Sequence, residues 1–103
     1  MIKNASVMLE DEKIALLPEV EVFLDIGEIK ANVDEVVLSD QTIALLELMK
    51  SESEFNISGL VGSKQLTIEK AKIYHLTFNM DIGERALLRD ITILGIHARW
   101  DRK

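Results

Sequence analysis

Residues 65–100 read QLTIEKAKIYHLTFNMDIGERALLRDITILGIHARW, and this stretch decides the fold. It predicts two unusually long β-strands that fold back on each other at Asp81–Arg85. An arm of about 14 residues at roughly 3.3 Å each spans on the order of 46 Å. A domain of about 100 residues has a diameter of only about 34 Å. We therefore expect part of the hairpin to overhang its own domain and to need a partner.

The register of this hairpin follows if Gly83 is its centre. Phe78 then lies opposite Leu88, and Met80 lies opposite Ala86. Even-numbered residues share one face in this register, because side chains alternate along a strand. That face is mostly apolar, which favours it as the core side, and it carries Tyr74, Leu76, Phe78, Met80, Leu88, Leu94 and Ile96.

The odd-numbered face of the hairpin is mixed, yet Ile73, Ile91 and Ile93 form a cluster on it. A solvated face would not normally show such a cluster, so either a helix of the same chain or another subunit should cover it. Both alternatives stay open at this point. Leu87 lies on the same face, and Phe23 lies on the polar side of an earlier strand. These five residues are the candidate interface residues.

The rest of the chain predicts more strands and one helix. Apolar residues flank the polar turn Glu10–Glu12, which suggests a short opening hairpin, and alternating patterns predict strands over 19–25, 29–38 and 54–60. Apolar positions that recur at helical spacing then predict one helix of about ten residues. Its expected N-cap is Ser39 or Asp40. Residues 1–103 are thus expected to form a single domain. Its fold class is mainly β (β-rich α+β), an antiparallel, barrel-like sandwich with a long C-terminal hairpin and one short helix.

Composition restricts the partners. The net charge is −6, which opposes tight binding to nucleic-acid phosphates. Hydrophobic residues make up 48% of the chain, high enough that some apolar surface is expected in an interface. Cysteine is absent, which excludes disulfides and thiolate metal sites. We see neither a signal peptide nor a run of about 18 apolar residues, so we expect no membrane partner and synthesis in the cytoplasm.

Residues suited to catalysis are scattered. His75 and His97 lie several positions apart on the predicted sheet, whereas a metal site needs three or four converging ligands. No serine occupies a G-x-S-x-G turn, and the glycines stand singly, so no phosphate-binding loop is formed. The sequence therefore predicts no catalytic, cofactor-binding or metal-binding residue, and we expect the protein not to be an enzyme.

The order of elements carries a resemblance. Several strands precede one short helix near Ser39–Lys50, which is followed by a strand from Glu54 to Leu60 and by a long hairpin that begins KQLTI and ends ITILG. This arrangement resembles the tail-tube proteins of bacteriophages and related injection machines. The resemblance implies hexameric rings that stack into a tube, with a sheet lining the channel and the helix packed outside it.

These observations give two hypotheses for function. The first is a structural, self-assembling protein, a homo-oligomer that forms rings or stacked rings in a phage-type tail or particle and so ends in a virion. The alternative is a small acidic binding or inhibitor protein that caps a basic surface of its partner. The acidic balance suits both, since a negative channel would let DNA slide without sticking and a negative surface would attract a basic partner.

Overall fold

The computed structural model of the chain describes residues 1–25, 27–80 and 86–102. The prediction of a mainly β protein is confirmed, since 74% of the chain is strand and a single short helix accompanies the strands of the described part. The elements in chain order are β1 (Ile2–Leu9), β2 (Glu12–Asp25), β3 (Glu28–Val37), α1 (Ala44–Ser51), β4 (Phe55–Val61), β5 (Lys64–Met80), β6 (Ala86–Gly95) and β7 (His97–Arg102).

Six of the strands form a closed antiparallel barrel. Their order is β4-β1-β2-β3-β6-β5, and a further pairing of β4 with β5 closes the ring. The seventh strand, β7, pairs with β5 outside this ring. Closure hides the hydrogen-bonding edges that a flat sheet of the same strands would expose. The molecule is elongated, with extents of 42 × 26 × 26 Å.

The long hairpin is present, and its first arm, β5, is 17 residues long. Its second arm is divided, because β6 pairs with the C-terminal half of β5 and β7 with the N-terminal half. The predicted pairs of Phe78 with Leu88 and of Met80 with Ala86 are confirmed. In the middle the register shifts: Thr92 pairs with His75, whereas the register centred on Gly83 predicts that it pairs with Tyr74. The predicted turn residues 81–85 lie outside the described residues.

Gly95 marks the division between β6 and β7. Its position is buried, and a Cβ atom there would overlap the Cγ2 methyl of Ile68 on β5. Glycine inside a strand typically allows such a close approach of backbone to a neighbour. The backbone N–H of Ile96 then donates to the carbonyl of Glu69, which keeps the two halves of the second arm on the same partner strand.

The inward face changes parity within the long strands. Asn4, Lys70 and Asp90 have positive φ angles of 52°, 54° and 52°, and each adds one residue relative to a partner strand. These are β-bulges, and each one moves the following side chains to the opposite face. The buried residues accordingly switch from Ile2 to Ala5 in β1, from Ile68 to Ala71 in β5 and from Leu88 to Ile91 in β6.

The helix α1 packs on the barrel through Leu45 and Leu48, which are buried, and contacts β5 and β2. It begins later than predicted, and the expected N-cap at Ser39 or Asp40 is wrong. The N-cap position is Ile43, without a side-chain hydrogen bond. Ser39 instead organises the preceding turn, where its Oγ accepts a hydrogen bond of 3.2 Å from the backbone N–H of Gln41. No helix in the described residues is long and apolar enough to cross a membrane.

Candidate interaction surface

The residues suited to metal binding or acid–base chemistry do not converge in the described part of the chain. It contains no group of three or more His, Asp or Glu side chains placed to hold a metal ion. His75 Nε2 lies 3.3 Å from the hydroxyl of Thr77, and His97 Nε2 lies 3.9 Å from a carboxylate oxygen of Glu69. The two histidines pair with different partners along the hairpin, as their spacing in the sequence predicted.

Four of the predicted interface residues are buried within one chain. Ile73, Leu87, Ile91 and Ile93 are at most 9% exposed, and the three isoleucines belong to the main core cluster. The assignment of these four residues to a surface that a partner covers is therefore wrong, since the chain itself covers them. Of the five candidates only Phe23 offers substantial surface, with half of its side chain exposed.

For Ile91 and Ile93, a bulge explains this error. A strict alternation from Gly83 outward puts Ile91 and Ile93 on the face opposite Leu88, but the bulge at Asp90 turns them to the same interior. Conversely, Tyr74 and Ile96, which alternation places on the core side, are 72% and 67% exposed. Asp90, where this bulge lies, is one of two charged residues, with Lys72, on the even-numbered face that alternation predicts.

An apolar overhang, consisting of Phe78 and Met80, lies at the C-terminal end of β5 and is exposed, whereas the sequence predicted an overhanging hairpin with these two residues on its core side. Phe78 pairs with Leu88, which in turn pairs with Val36, so all three lie on the same side of the sheet. Leu88 and Val36 are buried in the core, whereas Phe78 is 51% exposed and Met80 is 60% exposed. The hairpin thus carries the core-facing side of its sheet beyond the part of the barrel that covers it.

A second apolar surface lies beside the end of α1. Met49, Leu94 and Ile96 help to form a groove of about 490 Å³, which is also lined by the charged residues Glu52, Glu54, Lys70 and Lys72. Tyr74 and Ile96 stand exposed at this groove, at the point where the second arm of the hairpin divides. The groove and the apolar overhang occupy different segments of β5, so one chain presents two unlike apolar surfaces.

No family model matches the sequence, and no curated protein is significantly similar to it. The features of this chain that bear on its function are the two apolar surfaces, the charge distribution and the strand arrangement.

Proposed function

We propose that this protein is a structural subunit that assembles with copies of itself into rings or stacked rings, of the kind found in a phage-type tail tube or particle. The observation that carries the proposal is the apolar overhang. Phe78 and Met80 occupy the core-facing side of the long hairpin, yet more than half of each side chain meets solvent.

The physical reason for expecting assembly is the free-energy cost of leaving an apolar face in water. Burying a Phe or Met side chain contributes about 1.5–3 kcal/mol relative to leaving it exposed. Single exposed apolar residues are common on monomers and need no explanation. Here the two residues are neighbours on one face of one strand, and Leu88, the cross-strand partner of Phe78, belongs to the core cluster, which is typical of a surface completed by another subunit.

The type of assembly follows from the unlike surfaces on one chain. A contact between two different patches is heterologous, and it generates a ring if the rotation closes or a filament if it does not. The apolar overhang and the groove beside α1 are two such patches. The order of elements in the sequence, which resembles that of tail-tube proteins, supports the same type of assembly.

A pair of matched variants tests the proposal. Phe78 and Phe23 are the same residue type and are 51% and 50% exposed, so Phe→Asp makes the same change in two places. We expect wild type to form oligomers in size-exclusion chromatography with light scattering, and rings or tubes in negative-stain microscopy. Phe78→Asp should dissociate them, because a charge in an apolar contact is strongly disfavoured, and Phe23→Asp should not.

Two results would count against the proposal. A wild type that stays monomeric favours the alternative function, an acidic protein that caps a basic partner. If Phe23→Asp dissociates the oligomer and Phe78→Asp does not, the contact involves Phe23 on β2 and not the apolar overhang. Circular dichroism melts of both variants should match wild-type monomer, since each substitution leaves a charge facing water in the free chain.

A further inference from the structure

The strand β7 has a free edge on the side away from β5. It continues the second arm of the hairpin beyond β6, and β3 covers β6 on that side as far as the pair of Ile29 with Gly95. Because β3 begins at Glu28, it does not run on as a partner of β7. Among the described strands only β5 pairs with β7. An edge of this kind presents backbone N–H and C=O groups with which a strand of another chain can pair.

Three described side chains in the middle of β7 decide what this edge can pair with. Trp100 lies opposite Leu66, on the face where Leu66 is buried, yet 49% of Trp100 is exposed. Arg99 and Asp101 lie on the opposite face, since side chains alternate along a strand. Arg99 lies 3.5 Å from a carboxylate oxygen of Asp101 and 3.9 Å from one of Glu69. The charges of Arg99 and Asp101 cancel, so these residues make the middle of β7 neither basic nor acidic.

The order of these three residues is complementary to its own reverse. When two identical strands pair antiparallel about a two-fold axis, one residue lies opposite its own copy, and the residues on either side of it lie opposite each other. A register centred on Trp100 therefore puts Trp100 opposite its copy and Arg99 opposite Asp101 of the second chain, on both sides of the axis. Opposite charges and aromatic rings are both favourable as directly opposed pairs.

The neighbouring symmetric registers lack this complementarity. A register centred on Arg99 puts two guanidinium groups directly opposite each other, and one centred on Asp101 does the same with two carboxylates. Like charges in such positions destabilise a strand pair. A register centred on Ala98 puts Arg99 opposite His97 and so removes the carboxylate from the position facing Arg99. The charges thus select the register in which the two copies of Trp100 meet.

We propose that the free edge of β7 pairs antiparallel with β7 of a second copy, in the register that opposes Arg99 to Asp101 and Trp100 to itself. A second copy is the fitting occupant because the charge order of this edge matches its own reverse. Exposed ion pairs within one chain are worth little, so Arg99 loses little when it turns to the opposing carboxylate. The contact is isologous and closes on itself, unlike the heterologous contact proposed for the apolar overhang. It therefore goes beyond the proposed rings and does not depend on them.

Two charge reversals and their mixture test this register. Arg99→Asp opposes carboxylates to carboxylates across the contact, and Asp101→Arg opposes cations to cations. In a Phe78→Asp background, which removes the overhang contact, we expect a dimer by light scattering, and each reversal should weaken it at least about tenfold. An equimolar mixture of the two reversed chains should associate about as well as the unreversed chain, because opposite charges face each other again. Neither reversed chain regains the pair of residues 99 and 101 within itself, so recovery can come only from the contact between chains.

A control and a second readout accompany the reversals. Lys50→Asp on α1 makes the same change of charge as Arg99→Asp away from β7. Trp100 is the single tryptophan of the chain, so its fluorescence reports on the contact directly. Its emission should shift to shorter wavelength as the concentration rises through the range of dimerisation, and Arg99→Asp should abolish the shift in that range. Circular dichroism melts verify that every variant is folded.

The outcomes separate this contact from the proposed function. Dimers of Phe78→Asp that each reversal dissociates and the mixture restores support the pairing of β7 with β7. Monomeric Phe78→Asp, or dimers that the reversals alter no more than Lys50→Asp does, overturn the pairing but leave rings of the wild type standing. Reversals without recovery in the mixture, or a Trp100 emission that does not change on dimerisation, also overturn it. A wild type that is dimeric through β7 and never larger refutes the proposed rings and leaves the pairing intact.

Discussion

The variants Ile93→Ala and Ile96→Ala make the same chemical change on the inward and the outward face of the hairpin's second arm. Ile93 is fully buried in the core cluster, whereas Ile96, three positions later, is 67% exposed. Ile→Ala in a packed core costs about 2–5 kcal/mol, from lost burial and from the cavity left behind. The same change at an exposed position usually costs less than about 0.5 kcal/mol. We therefore expect Ile93→Ala to be the far more destabilising variant.

The difference is large enough to measure without ambiguity. For a domain of this size, 1 kcal/mol lowers Tm by at least about 4 °C, so Ile93→Ala should lower it by about 8 °C or more. Ile96→Ala should stay within about 2 °C of wild type. Thermal and urea melts followed by circular dichroism, at a concentration where the chain is monomeric, give both values. If Ile96→Ala were the more destabilising, the inward face would be the one that strict alternation predicts, and the bulge at Asp90 would not exist.

Three further outcomes are expected. Gly95→Ala should destabilise the fold by about 1–3 kcal/mol, since the added methyl group would overlap Ile68. The same substitution in an Ile68→Ala background should lose most of that cost, and equal costs in the two backgrounds would contradict the close approach. Glu52→Gly should stabilise the chain by roughly 0.5–1 kcal/mol in urea melts, because Glu52 ends α1 in a left-handed conformation with φ 54°, and a loss of stability would refute this. Fluorescence anisotropy should find duplex DNA bound no more tightly than about 10⁻⁴–10⁻⁶ M at physiological salt, and a sub-micromolar complex would exclude a channel through which DNA slides.

The local elements were predictable because their signals are short-range. Polar residues placed the turn of the first hairpin at Glu10 and Asp11, which have φ angles of 51° and 66°. The register of the long hairpin was also right at its ends. It stayed right because bulges on the two arms, near Tyr74 in β5 and at Asp90 in β6, add one residue each and cancel.

Which face of each strand points into the core was not predictable, because of these same bulges. A bulge inverts every following side chain, and nothing in the residues around Lys70 or Asp90 marks a bulge as clearly as glycine marks a turn. The start of α1 was predicted too early because the side chain of Ser39 accepts a hydrogen bond within a turn and does not cap the helix N-terminus. The length of β5 predicted an overhang, but which side chains are exposed there depends on how far neighbouring strands reach. That is a property of the closed barrel, not of the hairpin.

The mass of the wild-type protein in solution tests the central claim most directly. Light scattering over a wide concentration range should give, at the higher concentrations, a discrete multiple of the 11.6 kDa chain, with rings or tubes visible in the same samples. The proposed contact through the apolar overhang predicts this result. A mass that stays at 11.6 kDa throughout the range would show that the overhang faces water in the functional protein, and would contradict self-assembly.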